Sequence, residues 1–399
     1  MQLSDVQKRK AAALINNVKN LPFYRAKLQN ITANVDNVTD ILQSMPIMGV
    51  DDFHILSKNI KYAHSDIQFI DRTSGTTGKP KEVCVTEKDH LVELEHAKNT
   101  INAFGLSKED VFLSYDLWFP RFYDLFEAAL DDMNIPHHRF KLEDFNDVSK
   151  AFAGKPTVIF TVPSIVSRSW KSFEENQKKY KCVKKLIYVG EKPTSQFRGR
   201  LNKLGIEVFS DYGTTETFTI GRECDKHCGE HLATDSFIFE LADECKISEN
   251  VSEGKLIVTN LDFEGTPIIR YLIGDVVQLI DKPCACGLTT SRVNILARRS
   301  NIFTIYGSDF YISSIENAVE SATKQPTPFQ LQLYDGEKMG LRIVSNIKFK
   351  KYRDAWLKNI LAVPDIKQYY PQNLEITFQF TDKDADTHKL KKFIDLRDI

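Results

Sequence analysis

The sequence predicts an α/β protein: a large layered N-terminal domain of β-sheets flanked by helices, residues 1–299, followed by a small α+β domain, residues 300–399. Three observations carry that expectation. Short Val-, Ile- and Tyr-rich runs alternate with helical or polar stretches through most of the chain, as strands buried in a layered sheet do. After about residue 300 the segments read ββαββαβ, enough for a second compact domain of ordinary size. With 42% apolar residues, 26 Phe and 14 Tyr among 399 residues, there is core material for more than one domain.

Element by element, residues 4–19 repeat Val6, Ala11, Leu14, Ile15 and Val18 at helical spacing. IQFID and EVCVT, within 67–86, read as two strands around a polar glycine loop. Thr86 reads as a helix N-cap with Asp89 three residues on. Leu91, Leu94, Ala97, Ile101 and Phe104 predict one apolar face of the helix that follows. TVIFTV (157–162), KLIYVG (185–190), IEVFSDYG (206–213), KLIVTN (255–260) and IIRYLIGDVVQLI (268–280) read as strands buried on both faces. In the C-terminal part NIFTIYGSDFYI predicts two strands and ISSIENAVESA a helix. FQLQLY and EKMGLRIV flank the hairpin signal Asp335-Gly336. KYRDAWLKNILAV predicts a second helix, and alternating Leu374, Ile376, Phe378 and Phe380 a last strand.

Composition narrows the function classes. Lys plus Arg number 53 against 54 Asp plus Glu, a net charge of −1, so a whole-protein basic field for nucleic acid is absent and no nucleic-acid partner is expected. No apolar run approaches 18 residues, so no membrane partner is expected. The N-terminal MQLSDVQKRKAAALINN has only a five-residue apolar stretch, too short for a signal-peptide core. The expectation is a cytoplasmic protein.

Seven cysteines are too few, and odd in number, for a disulfide framework. Four of them cluster. Cys224 and Cys228 lie in ECDKHCGEH with His227 and His231, and Cys284 and Cys286 form CAC before Gly287. Thiolates and imidazoles at such spacing suit tetrahedral zinc. Six candidates compete for four places, which leaves the set open at this point.

The sharpest local feature is Thr73-Ser74-Gly75-Thr76-Thr77-Gly78-Lys79-Pro80-Lys81. Small hydroxyl side chains, two glycines and a lysine supply the N–H and O–H donors that polyphosphate needs. It is not a Walker loop: two residues rather than four separate the glycines, and Pro80 follows the lysine.

With that loop the chain resembles the adenylate-forming superfamily (acyl-CoA synthetases, adenylation domains, luciferases), and within it the phenylacetate–coenzyme A ligase-like branch. The resemblance runs from the loop to the C-terminus. Asp211-Tyr212-Gly213-Thr214-Thr215-Glu216 resembles the family's Tyr-Gly-x-Thr-Glu motif, and Tyr271-Leu272-Ile273-Gly274-Asp275 its Tyr-x-Thr-Gly-Asp motif. Arg298 through Gly307 to Glu316 keeps the spacing of the hinge segment about which the small domain rotates. Asp386-Thr387-His388-Lys389 falls where the family carries its C-terminal lysine. The chain departs from the branch at Ala297, at Arg299-Ser300-Asn301 and at His388, where the branch has Gly, Ser-Asp-Asp and Gly.

The resemblance implies ATP-dependent activation of a carboxylic acid to an acyl-adenylate with release of pyrophosphate, then transfer to a thiol. An aromatic acid and coenzyme A are the leading expectation, with a carrier-protein phosphopantetheine thiol or an amine as the alternative acceptor. A catalytically lapsed nucleotide-binding protein is the alternative of another class. The altered hinge bears on the second half-reaction rather than the first. The implied cofactors are ATP, Mg²⁺, structural Zn²⁺ and CoA, and homodimerisation is left open.

The implied catalytic residues are Lys389, Glu216 and Thr76, with Glu216 holding Mg²⁺ and Lys389 bridging α-phosphate and carboxylate. Thr73, Ser74, Gly75, Thr76, Thr77, Gly78 and Lys79 would hold the phosphates. Gly190, Glu191 and Lys192 would flank the base, and Asp211, Tyr212, Gly213 and Thr214 would complete its site. Asp275 would accept from the ribose hydroxyls beside Arg298. Trp118, Phe119, Tyr188 and Gly213 would line the acid pocket. The implied zinc set is Cys224, His231, Cys284 and Cys286, with Cys228 as alternate.

Overall fold

A computed structural model describes residues 3–63, 66–73, 80–116, 120–141, 148–190, 192–298, 302–305, 308–335, 337–367, 370–382 and 393–396. It forms two compact units: Met1–Lys192 with Ile206–Ile295, and Pro193–Gly205 with Leu296–Ile399. The segment 193–205 is where this differs from a single division at 299/300. Its helix, Ser195–Lys203, packs on the helix Ile312–Thr323 of the same unit. Thr194 Oγ1 donates to Glu320 Oε2 at 2.5 Å and Gln196 Nε2 to Ser321 Oγ at 2.6 Å. Nothing in local composition marks such an excursion.

The first unit is built on one 11-stranded sheet that changes character halfway. Strands Phe112–Asp116, His137–Lys141, Val158–Thr161, Lys185–Tyr188 and the first half of Glu207–Thr214 are parallel. From the second half of Glu207–Thr214 onward the strands pair antiparallel: Glu207–Thr214 with Phe218–Glu223, Phe218–Glu223 with Glu230–Leu232, Glu230–Leu232 with Arg292–Arg298, and Val251–Asn260 with both Phe237–Ser248 and Tyr271–Ile280. Among the inner parallel strands Val158–Thr161 is buried throughout, whereas the edge strand His137–Lys141 leaves His138 exposed. Tyr271–Ile280, read from its apolar run as equally covered, instead buries only Tyr271, Asp275, Val277 and Ile280 and leaves the rest half-buried.

Two helices correct the periodicity reading. The helix Asp5–Val18 starts with a capping box between Ser4 and Gln7. It buries Ala11, Leu14, Ile15 and Val18, but Val6 is 39% exposed. Gln7 is buried instead, because its amide donates to Phe237 O at 3.0 Å. The helix Glu87–Ala103 begins at Thr86, whose hydroxyl accepts from Asp89 N–H, as expected. Its buried face, however, is Asp89, Glu93, His96, Ala97, Thr100 and Ile101, while Leu91 is 57% exposed. The polar members have partners across the unit: Glu93 with Arg121, Thr100 with Arg222, His96 with Ser236. Satisfied polar groups can occupy a core face, and apolar periodicity does not register them.

In the second unit Phe329–Asp335 and Met339–Asn346 form the expected hairpin, and Leu374–Thr381 pairs parallel to Met339–Asn346. A short strand that the sequence did not suggest, Phe393–Asp395, adds parallel to Phe329–Asp335. Helices Ile312–Thr323 and Arg353–Ile360 cover the sheet around the fully buried Trp356.

Candidate functional site

The site is assembled at the carboxyl ends of the parallel strands, where the sheet changes from parallel to antiparallel, a recurrent location for ligands in open α/β sheets. Strand Glu207–Thr214 makes that change within its own length: Glu207 to Ser210 pair in parallel, and Asp211 to Thr214 pair antiparallel with Phe218–Glu223. Gly213 sits at the register shift. A Cβ there would stand 2.2 Å from Phe218 O, so only glycine fits.

Asp211 points into the protein. Its Oδ2 accepts from Thr219 Oγ1 at 3.1 Å, while its Oδ1 is buried and has no hydrogen-bond partner among the described residues. Burial pushes its carboxyl up to about 7, against the lowering pull of Arg222 and the Thr219 hydrogen bond. A buried acceptor with nothing to accept from is a place for a ligand's N–H, which fits the amine of adenine. Next to it, Tyr212 donates its phenol to Asp275 Oδ2 at 2.7 Å, both residues being buried. Two motifs far apart in sequence therefore meet side chain to side chain. Asp275 follows Gly274, whose φ of 92° needs glycine.

Glu216 is buried and already holds a cation. Its Oε1 forms an ion pair with Lys81 Nζ and accepts from Tyr271 OH at 3.2 Å. Lys81 Nζ in turn donates to Tyr271 OH at 3.0 Å. A carboxylate placed to stabilise positive charge fits a divalent ion. Burial, then the adjacent Glu216, pushes the Tyr271 phenol up, so it stays a hydrogen-bond donor.

The glycine loop is pinched at its ends. Thr73 N–H donates to Lys81 O at 3.0 Å, and Lys81 N–H to Thr73 Oγ1 at 2.9 Å. Ser74, Gly75, Thr76, Thr77, Gly78 and Lys79 lie outside the described residues, as do Glu191, Trp118, Phe119 and Lys389 and the side chain of Arg298. The loop's second strand is anchored through Asp89, whose carboxylate accepts from Thr86, Glu264 and Gly265 N–H at 3.0, 2.7 and 2.8 Å. Tyr188 ends its strand buried. Gly190 follows with φ 72°, and Lys192 donates to Ile295 O at 2.6 Å.

One network beside this site escaped the sequence reading. Arg121 donates through Nη1 and Nη2 to both oxygens of Glu93, at 2.6 and 2.9 Å, and through Nε to Asp71 at 2.6 Å. Asp71 closes the strand that leads into the glycine loop, so the guanidinium ties that strand to the helix Glu87–Ala103. Its only sequence signal is an arginine inside an aromatic run, and its partners lie 28 and 50 residues away.

A second cluster joins Cys224, just after the strand Phe218–Glu223, and His231, on the strand Glu230–Leu232, to the turn that holds Cys284 and Cys286. The candidate ligand atoms of Cys224, His231, Cys284 and Cys286 all lie within 4.8 Å of one another. Cys224 Sγ stands 3.8 Å from Cys284 Sγ, and Cys286 Sγ 3.3 Å from His231 Nε2. His231 Nδ1 contacts Thr290 Oγ1 at 3.0 Å, which orients the ring and leaves Nε2 toward the sulfurs. Three thiols and an imidazole converging on one point fit tetrahedral zinc. Cys228 is not one of the four, although its Sγ lies 3.4 Å from Cys284 Sγ; Arg292 Nη1 donates to that sulfur at 2.7 Å.

The family model for AMP-binding enzymes matches residues 2–236. The phenylacetate–coenzyme A ligase of Thermus thermophilus is 27% identical over 270 residues, covering 63% of this chain and 59% of that enzyme. This chain thus matches somewhat under two thirds of that relative's length. The phenylacetate–coenzyme A ligase of Pseudomonas putida is 25% identical over 340 residues, 79% of this chain and 74% of that one. Among solved structures, a 2-hydroxyisobutyryl-CoA ligase in the postadenylation state superposes with a TM-score of 0.76 at 15% identity, covering 98% of this chain and 88% of that one. That likeness speaks for the fold. Among the described residues no helix is long and apolar enough to cross a membrane.

Proposed function

Because the chain belongs to the AMP-binding enzyme family, we propose that it activates a carboxylic acid with ATP, releasing pyrophosphate, and passes the acyl group to the thiol of coenzyme A. An aromatic acid is the substrate class that the two phenylacetate–coenzyme A ligases support. The observation that carries the reading is the Tyr212–Asp275 hydrogen bond, which joins the two nucleotide motifs, together with Asp211 Oδ1, one residue along the same strand, which has no partner among the described residues.

Each residue then has a task. Asp211 Oδ1 accepts from the adenine amine, and Asp275 from the ribose hydroxyls while Tyr212 fixes its rotamer. Gly190, with Glu191 and Lys192, borders the base. Thr73 to Lys79 donate to the β- and γ-phosphates, with Thr76 at the reacting end. Glu216, whose carboxylate already faces the Lys81 cation, would hold Mg²⁺. Lys389 places positive charge between the α-phosphate and the incoming carboxylate. That carboxylate attacks phosphorus and pyrophosphate leaves, and charge is stabilised mainly by position. Trp118, Phe119, Tyr188 and Gly213 border the acid. Zinc on Cys224, His231, Cys284 and Cys286 would pin two turns of the large unit and take no part in the reaction.

ATP–pyrophosphate exchange across a panel of aromatic and aliphatic acids tests the first half-reaction, and CoA addition to any positive tests the second. Exchange with thioester formation is the expected result. Exchange without thioester would move the acceptor to a carrier-protein thiol or an amine. Nucleotide binding with no exchange across the panel would overturn the reading.

A further inference from the structure

The thiol that the four-ligand cluster leaves over has a geometry of its own. Cys228 Sγ lies 3.4 Å from Cys284 Sγ, nearer than Cys224 Sγ does at 3.8 Å. Arg292, itself buried, donates through Nη1 to both the sulfur and the carbonyl of Cys228, at 2.7 and 2.8 Å. Its Nη2 donates to Lys282 O at 3.2 Å. One guanidinium therefore spans the two cysteine-bearing turns and sets the gap between Cys228 and Cys284. Cys228 is half-buried whereas Cys284 is buried.

We propose that Cys228 and Cys284 form a peroxide-driven disulfide that dismantles the metal centre. The inference rests on the zinc reading for the metal it releases, and on the geometry alone for the bond it forms. Hydrogen peroxide takes the Cys228 thiolate to a sulfenic acid and leaves as hydroxide. The Cys284 thiolate then attacks the Cys228 sulfur and expels a second hydroxide. Two thiolates lose two electrons, one peroxide gains them, and one S–S bond forms. Cys284 would then no longer be available to a metal, and the remaining Cys224, His231 and Cys286 would hold it less tightly than the full set of four.

The test uses the full chain as purified, with metal content measured first. Peroxide is added, metal release is followed with a chromogenic chelator, and disulfides are mapped by mass spectrometry after alkylation. The expected result is about one metal ion released per chain together with a Cys228–Cys284 peptide pair, reversed by a phosphine reductant with added zinc. Cys228→Ser should hold the same metal content and release it about tenfold more slowly or less, since the partner thiol is gone. Cys245→Ser, which removes an exposed thiol elsewhere, should match the parent. Equal release rates in parent and Cys228→Ser would overturn the proposal. So would a disulfide joining two of the four ligands, or loss of metal from Cys228→Ser before oxidation. A chain purified without metal would sink the zinc reading alone, and the disulfide map would then judge this one.

Discussion

The phenol of Tyr212 donates to Asp275 Oδ2 at 2.7 Å across 63 residues of sequence, within the buried part of the large unit. Tyr212→Phe keeps the ring and removes the donor. A buried carboxylate that loses a hydrogen bond costs about 1–3 kcal/mol, so chemical denaturation should read a loss of that size. The KM for ATP should rise with it, because Asp275 is no longer held for the ribose. An unchanged KM beside a clear stability loss would leave the bond with a structural task only.

Asp211 predicts a pH dependence. Its folded value, pushed up to about 7 from 3.8 by burial, means that the native state holds more protons than the unfolded chain between those values. Stability therefore falls as pH rises through that window and levels off above it. Asp211→Asn removes this dependence. Glu230, also pushed up to about 7 by burial and then by Glu223, titrates alike in both proteins and cancels in the comparison. The parent should thus lose stability relative to Asp211→Asn between pH 5 and pH 8, measured by denaturant melts. A constant difference across that range would contradict the assignment.

Arg121 pairs with Glu93, which is buried. Arg121→Leu leaves that carboxylate without its cation, at a cost of about 3–5 kcal/mol. Adding Glu93→Gln to the same chain should restore a substantial part. Additive losses in the double-mutant cycle would show the pair to be uncoupled.

Lys389→Ala should slow pyrophosphate exchange by about 10²–10³-fold, the effect of removing one preorganised donor to a developing charge. Thioester formation from a supplied acyl-adenylate should fall far less. Near-normal exchange in this variant would remove Lys389 from the first step.

Metal analysis of protein purified without added metal should find about one zinc per chain. Thr290→Val removes the group that orients His231, and competition with a chromophoric chelator should show zinc affinity lowered by about tenfold. Unchanged affinity would mean that the ring is positioned by packing alone.

What could be read in the linear chain was local. The capping box at Thr86 and Asp89, the hairpin around Asp335 and Gly336, and most strand positions follow from turn chemistry and short-range pattern. The motif order from Thr73 to Lys389 indicated the family, and residue types and spacing brought out the metal candidates. Of the apolar face expected for the helix Glu87–Ala103, Ala97, Ile101 and Phe104 are buried and Leu91 is exposed, and the buried polar residues beside them escaped the pattern because they are satisfied from distant strands and helices. The strand Phe393–Asp395 went unseen because three residues carry too little pattern.

The sequence by itself determined which chemical groups are available: a phosphate loop, two acidic motifs, a terminal lysine and a set of soft ligands. Only the tertiary structure decided how they combine. It set Tyr212 against Asp275, Lys81 against Glu216 and Arg121 against Glu93, and left Asp211 Oδ1 without a partner among the described residues and Cys228 outside the four. The physical reason is range. Helix, strand and turn preferences act over a few residues, whereas burial removes water from groups dozens of residues apart, so that each must find its partner in the fold or remain open to a ligand.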